Sequence, residues 1–198
     1  MPASSDLRFD AGAAWLDLLA TVGSAYGAEP VERLIDPPVL QRWLDHQGLA
    51  AERAPTDADV ASARALRETL RPLVLAVLDG TPVPAEPLQA LQRWLDDDVP
   101  LRAVERAGRA APAPPPTPAA ALARVARQAL EHLGGPEAEH LHACAADDCR
   151  MAFLDPVGRR RWCAPERCGV RARVRAHRAR TRTRPLDGRA SGSGSSRT

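Results

Sequence analysis

Four cysteines in a chain of 198 residues stand in two pairs, Cys144-x4-Cys149 and Cys163-x4-Cys168, with thirteen residues between the pairs. Paired thiols at such spacing are the ligand pattern of structural zinc, each pair holding one side of a tetrahedral ion. The intervening residues read as a hairpin that folds the second pair back onto the first. Met151 and Phe153 alternate as in a strand. Asp155-Pro156-Val157-Gly158 has the preferences of a type I turn, and Arg159–Trp162 is the expected return strand. Pro165 suits the first turn of a helix and Glu166 its positive end, so Cys168 falls in that first turn, where the dipole favours its thiolate. A knuckle, a hairpin and a helix whose start donates a ligand predict a treble-clef-like zinc finger. Its one Zn2+ would sit on Cys144, Cys149, Cys163 and Cys168. The competing reading, a redox pair or incidental thiols, lacks a Cys-x2-Cys motif. His140 and His142 lie nearby, but four thiolates already complete the shell. A closed shell leaves zinc no open position for water, and no Ser/His/Asp or Cys/His spacing suggests a nucleophile. The sequence therefore predicts a protein that is not an enzyme.

The second chemical signal is where arginine falls. All 27 basic residues are Arg, and codon bias explains their number but not their placement. Residues 1–149 hold 13 Arg against 22 Asp and Glu, while residues 150–198 hold 14 Arg against Asp155, Glu166 and Asp187. An acidic body is joined to a basic end, as expected of a chain that meets a polyanion. Arg150, Arg159, Arg160, Arg161 and Arg167 are placed to offset the charge of four thiolates. Arg171, Arg173, Arg175, Arg178, Arg180, Arg182 and Arg184 continue past the metal with no acid among them. On a helix Arg171, Arg175, Arg178 and Arg182 share one face. Like charges at i, i+4 destabilise a helix, so a compensating partner is expected, and phosphate is the natural one. The bland alternative is a solvated arginine-rich tail. Nucleic-acid contacts are expected from Arg159, Arg160, Arg161, Arg171, Arg173, Arg175, Arg178 and Arg180. No stretch reaches the roughly 20 apolar residues of a membrane span, and Asp17 interrupts the only apolar run near the N-terminus. A cytoplasmic protein without membrane contact is the expectation.

The residues before the finger must position it, and they read as mainly helical. Residues 1–10 suggest a frayed start with a short extended piece at Leu7–Phe9. Helices are expected over about Ala11–Val22, Pro38–His46, a run opened by a capping box of Thr56 and Asp59 and closed by Gly80, Ala85–Asp96 and Ala119–Leu133. Leu66, Leu70, Leu73 and Val77 form the inner face of the third, Leu88, Leu91 and Leu95 that of the fourth. Leu122, Val125, Ala126, Ala129, Leu130 and Leu133 do so in the fifth. Pro72 should kink the third helix. Val99–Glu105 suggests a strand with a turn at Gly108. The proline run over residues 111–118 is either an edge strand or a polyproline-type connector. Asp96-Asp97-Asp98 reads as a solvated acidic turn. The fold class is thus mainly α, with a small β-hairpin. A helical domain over residues 1–135 should fold alone, the finger spans 136–184, and a disordered tail covers 185–198.

The segment from Cys144 to Arg180, CAADDCRMAFLDPVGRRRWCAPERCGVRARVRAHRAR, resembles the CGNR-type zinc finger. Phe153, Asp155, Arg160, Arg161, Trp162, Cys163, Cys168, Gly169 and Arg171 match its pattern, and Val170 stands where that family carries Asn. The preceding segments AGAAWLDLLATV, LIDPPVLQRWLDHQGL and ARALRETLRPLVLAVLDG resemble the partner domain of that family, ABATE, which is assigned by inference to stress-induced transcription regulation. The resemblance implies a bacterial transcription regulator whose finger binds DNA and whose helical domain senses a signal or forms a homodimer. An RNA-binding protein and a zinc-stabilised protein-interaction module are the alternatives. DNA is preferred to RNA as the partner.

Overall fold

The computed structural model describes residues 7–146 and 148–182. In chain order the elements are α1 (Ala14–Leu19), β1 (Val22–Gly23), β2 (Val31–Glu32), α2 (Pro37–His46), α3 (Asp57–Asp79) and α4 (Ala85–Leu95). They are followed by β3 (Ala103–Arg106), β4 (Arg109–Pro112), α5 (Pro118–Gly134), a 3-10 turn over Pro136–His140, β5 (Leu141–Ala143) and β6 (Ala152–Leu154). A wide π turn at Pro165–Gly169 then runs into α6 (Val170–Arg182). The strands pair only as three antiparallel ribbons, β1 with β2, β3 with β4 and β5 with β6. The fold is mainly α, with a treble-clef-like end. The tail expected at 185–198 lies outside the described residues.

The central element is α3, and its sequence explains its length. Thr56 Oγ1 accepts from the Asp59 amide while Asp59 Oδ2 accepts from the Thr56 amide, the reciprocal capping box. Gly80 ends the helix at φ +62, a left-handed C-cap that a side chain would strain. Leu66, Leu70 and Leu73 are fully buried between α1, α4 and α5, and Pro72 is accommodated within the helix. Leu70→Ala should therefore cost about 2–5 kcal/mol, measured by reversible denaturation of the zinc-loaded protein.

An ion pair between a buried arginine and a half-buried glutamate ties the β1–β2 ribbon to this helix. Arg67, 4% exposed, places its fork on Glu32 at 2.7 and 2.9 Å and on Thr21 Oγ1 at 2.8 Å. Burial alone would raise the Glu32 carboxyl, but the Arg67 hydrogen bonds more than reverse this and hold it below its ordinary value. Glu32→Ala should destabilise by about 1.5–3 kcal/mol, because it removes two charge-assisted hydrogen bonds from the buried Arg67 guanidinium, which keeps Thr21 and Glu68 as partners. A melting shift of less than a degree or two would show that solvent replaces the carboxylate.

Several expected elements differ. Helix α1 does not span 11–22, because its flanks pair elsewhere. The Ala11 carbonyl accepts from the Leu154 amide at 2.8 Å, and Val22 pairs with Glu32. Leu7–Phe9 forms no strand, though Phe9 stacks on His46 at 3.6 Å. Leu88 and Leu130 face outward, since α4 and α5 bury a narrower stripe than their apolar periodicity allows. The expected strand near Val99–Glu105 starts later, at β3, and turns at Gly108. The proline run begins as its partner, the edge strand β4, and continues irregularly. Asp98 is not merely solvated, for it pairs with Arg127 at 2.8 Å. The buried residues of the finger, including Phe153 and all four cysteines, belong to one core with Trp15, Trp43 and Leu70.

Candidate metal centre

Strands β5 and β6 flank the first cysteine pair, and their pairing builds the knuckle. The Cys144 amide donates to the Met151 carbonyl at 2.9 Å, and the Cys149 amide to Ala146 at 2.8 Å. Here the structure corrects the sequence reading. Strand β6 pairs with β5, which precedes the first cysteine, and Arg159–Trp162 forms no return strand. That segment is held instead by one backbone bond, from the Ala145 amide to the Arg161 carbonyl, and by the carboxylate of Asp155. The Asp155-Pro156-Val157-Gly158 turn forms as expected, closed by the Gly158 amide on the Asp155 carbonyl at 3.0 Å. The Asp155 carboxylate accepts from the Arg160 amide at 2.6 Å and from further amides of the turn, which hold it below its ordinary value.

The four Sγ atoms lie within 4.8 Å of one another, and all four residues are buried. Cys149 to Cys163 is 3.6 Å and Cys163 to Cys168 3.5 Å. These are far longer than the ~2.05 Å of a disulfide. They are close to the roughly 3.8 Å edges of a tetrahedron with ~2.3 Å Zn–S bonds. His140 and His142 are not in the cluster. Hydrogen bonds from Cys149 and Cys163 pull the Cys144 thiol down to about 2. The same network pushes Cys149 upward, and burial leads in pushing Cys168 to about 12. Thiolates packed this closely repel one another unless a cation lies among them, and the donor set, wholly sulfur and closed, suits Zn2+.

The residues that carry the motif each perform an identifiable task. Phe153 is fully buried, with the Arg160 guanidinium 4.5 Å from its ring centroid. Arg160 also donates to the carbonyls of Asp10 and Cys163, so it staples the chain's start to the finger. Trp162 lies against Gly169, where a Cβ would approach the indole to 3.3 Å. Arg171 donates to Cys168 Sγ at 3.3 Å and pairs with Asp148. Arg175 reaches the same carboxylate at 2.6 Å. Sequence reasoning missed Arg8, which donates to Cys163 Sγ at 3.2 Å and to the Cys163 carbonyl at 3.0 Å from 155 residues away. No local pattern marks so distant a partner. It also missed Asp148 as the acid that answers Arg171 and Arg175.

Of the other arginines expected to touch nucleic acid, Arg159, Arg161, Arg173, Arg178 and Arg180 are all exposed. Arg161 leans on the Trp162 ring at 5.2 Å. Helix α6 contains no acidic residue.

These features define a helical body fused to a four-cysteine zinc finger. The ABATE family, described as a "putative stress-induced transcription regulator", matches residues 12–136, and the CGNR zinc finger matches residues 140–181. The chain belongs to the ABATE family and carries a CGNR zinc finger, which makes it a zinc-binding regulator. One family is described as regulatory and the other as a zinc finger, and neither description is enzymatic. None of the curated proteins compared with the chain matches it. No helix among the described residues is long and apolar enough to cross a membrane.

Proposed function

We propose that the chain is a cytoplasmic bacterial transcription regulator that binds DNA through its zinc finger. Cys144, Cys149, Cys163 and Cys168 hold the ion, which fixes the start of α6 against the knuckle. The observation that carries the reading is α6 itself, an acid-free helix presenting Arg173, Arg178 and Arg180 to solvent. Arg159 and Arg161 extend this basic surface on the preceding loop. Such spacing suits a phosphate backbone, since each guanidinium forks onto phosphate oxygens and displaces condensed counterions.

The test is a salt-titrated binding assay with random duplex DNA, single-stranded RNA and an acidic protein as control. DNA affinity that falls linearly with log salt, at a slope of roughly −4 to −5 for about five neutralised phosphates, supports the reading. Tighter binding of RNA would redirect it to an RNA-binding protein. Binding of the acidic protein alone would favour an interaction module docking through the half-exposed Val170 and Val174.

A further inference from the structure

Arg8 lies beyond both family segments, residues 12–136 and 140–181, yet its guanidinium reaches the metal centre. Nη1 donates to Cys163 Sγ at 3.2 Å and lies 3.6 Å from Met151 Sδ, while Nη2 donates to the Cys163 carbonyl at 3.0 Å. Cys163 is fully buried, and the Arg8 side chain is only 9% exposed.

The other edge of the guanidinium rests on Asp10. Nε and Nη2 donate to its Oδ1 at 3.0 and 2.8 Å, and Nη2 to its Oδ2 at 2.9 Å. This pair does not explain why Arg8 is buried. The Asp10 side chain is 47% exposed, and an ion pair so open to solvent stabilises little. It does explain the aim of the guanidinium, because Nε and Nη2 on the carboxylate leave Nη1 facing sulfur. The backbone beyond Asp10 is fixed to the finger. Both Arg160 Nη atoms donate to the Asp10 carbonyl at 3.2 Å, and the Leu154 amide donates to the Ala11 carbonyl at 2.8 Å. Gly12 turns the chain here at φ +96, so near the finger that a Cβ would fall 3.0 Å from the Leu154 Cβ. Arg8 therefore meets Cys163 from a segment already held in place.

We propose that Arg8 is a positioning residue of the metal centre, holding the Cys163 sulfur in the ligand shell and offsetting its charge. Four thiolates carry more charge than one Zn2+ returns, so the loaded centre is anionic. Arg171 answers part of that excess at Cys168 from α6. Arg8 answers it from the body at Cys163, whose Sγ lies 3.6 Å from that of Cys149 and 3.5 Å from that of Cys168. A charged donor buried against sulfur is strengthened by the low local dielectric, and outer partners of this kind orient metal ligands and tune the metal's affinity. Losing the guanidinium also widens the cavity of about 60 Å³ that Arg8 lines together with Cys149 and Cys168, which gives water access to the sulfurs. This role rests on the four-cysteine zinc centre and is independent of DNA binding.

The test compares full-length wild type with Arg8→Gln, Arg8→Lys and Asp10→Asn. Zinc affinity is measured by competition with a chromogenic chelator. Arg8→Gln is expected to weaken it about 10–100-fold, the range found when an outer partner of a metal ligand is removed. Arg8→Lys keeps the charge but cannot reach the sulfur and the carbonyl together, so it should fall between, and it keeps the measurement available if Arg8→Gln does not fold. Asp10→Asn, which only loosens the aim, should cost less than Arg8→Gln. Cobalt substitution supplies a signature that a purely structural role would not move. A hydrogen bond lowers the energy of the sulfur lone pairs, so the sulfur-to-cobalt charge-transfer bands should shift to lower energy in Arg8→Gln. The melting temperature should drop in the zinc-loaded variant and match wild type once zinc is stripped, since the contact needs the folded finger. Zinc affinity equal to wild type in both Arg8 variants, unmoved charge-transfer bands, or an equal loss of stability with and without zinc would overturn the proposal. A wild-type chain that takes up no metal would overturn the zinc centre itself, and this role with it.

Discussion

Stripping zinc, or replacing Cys149 by Ser, is expected to unfold the finger and to lower the melting temperature of the helical body with it. In small modules of this kind binding of zinc is folding free energy, of order 10–16 kcal/mol at neutral pH. Few apolar residues would hold the finger otherwise, since Leu141, Phe153, Ala146, Ala152 and Ala164 are its buried apolar side chains besides the cysteines among the described residues. The effect should spread because Phe153 lies in one continuous core with Trp15 and Leu70. Arg8, Ala11 and Arg160 also bridge the chain's start to the finger. Acid should act as the chelator does. The ligands are thiolates, so protons compete with the metal, and zinc affinity rises with pH and falls as the thiols are reprotonated. Calorimetric melts with and without a chelator, with released zinc followed by a chromogenic dye, test this. An upper transition that zinc removal leaves unmoved would show that residues 1–135 are self-sufficient, as the sequence alone suggests. Full metal content in Cys149→Ser would remove that cysteine from the ligand set.

What was legible in the sequence was whatever rests on contacts between near neighbours. The capping box at Thr56 and Asp59, the glycine that ends α3 and the turn at Asp155–Gly158 are written in three or four consecutive residues, and all form. The four cysteines were legible because metal chemistry restricts their types and spacing. What failed depended on partners far along the chain. Thirteen residues between two Cys pairs suggested a hairpin closed on itself, yet β6 pairs with β5, and Arg161 touches the knuckle through one backbone bond. Residues 11–13 carry a helical apolar pattern, but the Ala11 carbonyl is spent on the Leu154 amide and Ala13 is the extended N-cap. Leu88 and Leu130 satisfy the periodicity and stay exposed, because periodicity marks a face and not the width of what covers it. The arginine helix was legible as a charge pattern, but not in which arginines serve the metal centre.

That last distinction sets the other large effect expected. The sequence singles out Arg171 and Arg175 for closest approach to phosphate, since they share a helical face. The structure engages both with Asp148, at 3.5 and 2.6 Å, and Arg171 also with the Cys168 thiol. The Arg175 hydrogen bond leads in holding the Asp148 carboxyl below its ordinary value, so the acid stays ionised and offsets charge there. Arg171→Ala should therefore disturb zinc retention before it disturbs binding. Arg173, Arg178 and Arg180 are exposed on the same acid-free helix, and replacing all three by Ala should weaken duplex binding about a hundredfold or more near 0.1 M salt. The same replacement should flatten the dependence of log K on log salt by roughly 2–3 units, close to one unit for each phosphate no longer neutralised. The weakening should be uniform across sequences. A base-reading arginine would behave otherwise, relaxing discrimination at one position by about 1–3 kcal/mol while the slope changed little. The uniform outcome is expected because α6 contains no Asn or Gln to read adenine. Unchanged DNA affinity in the triple variant, with zinc content intact, would remove α6 from the DNA surface and leave the basic helix to a protein partner.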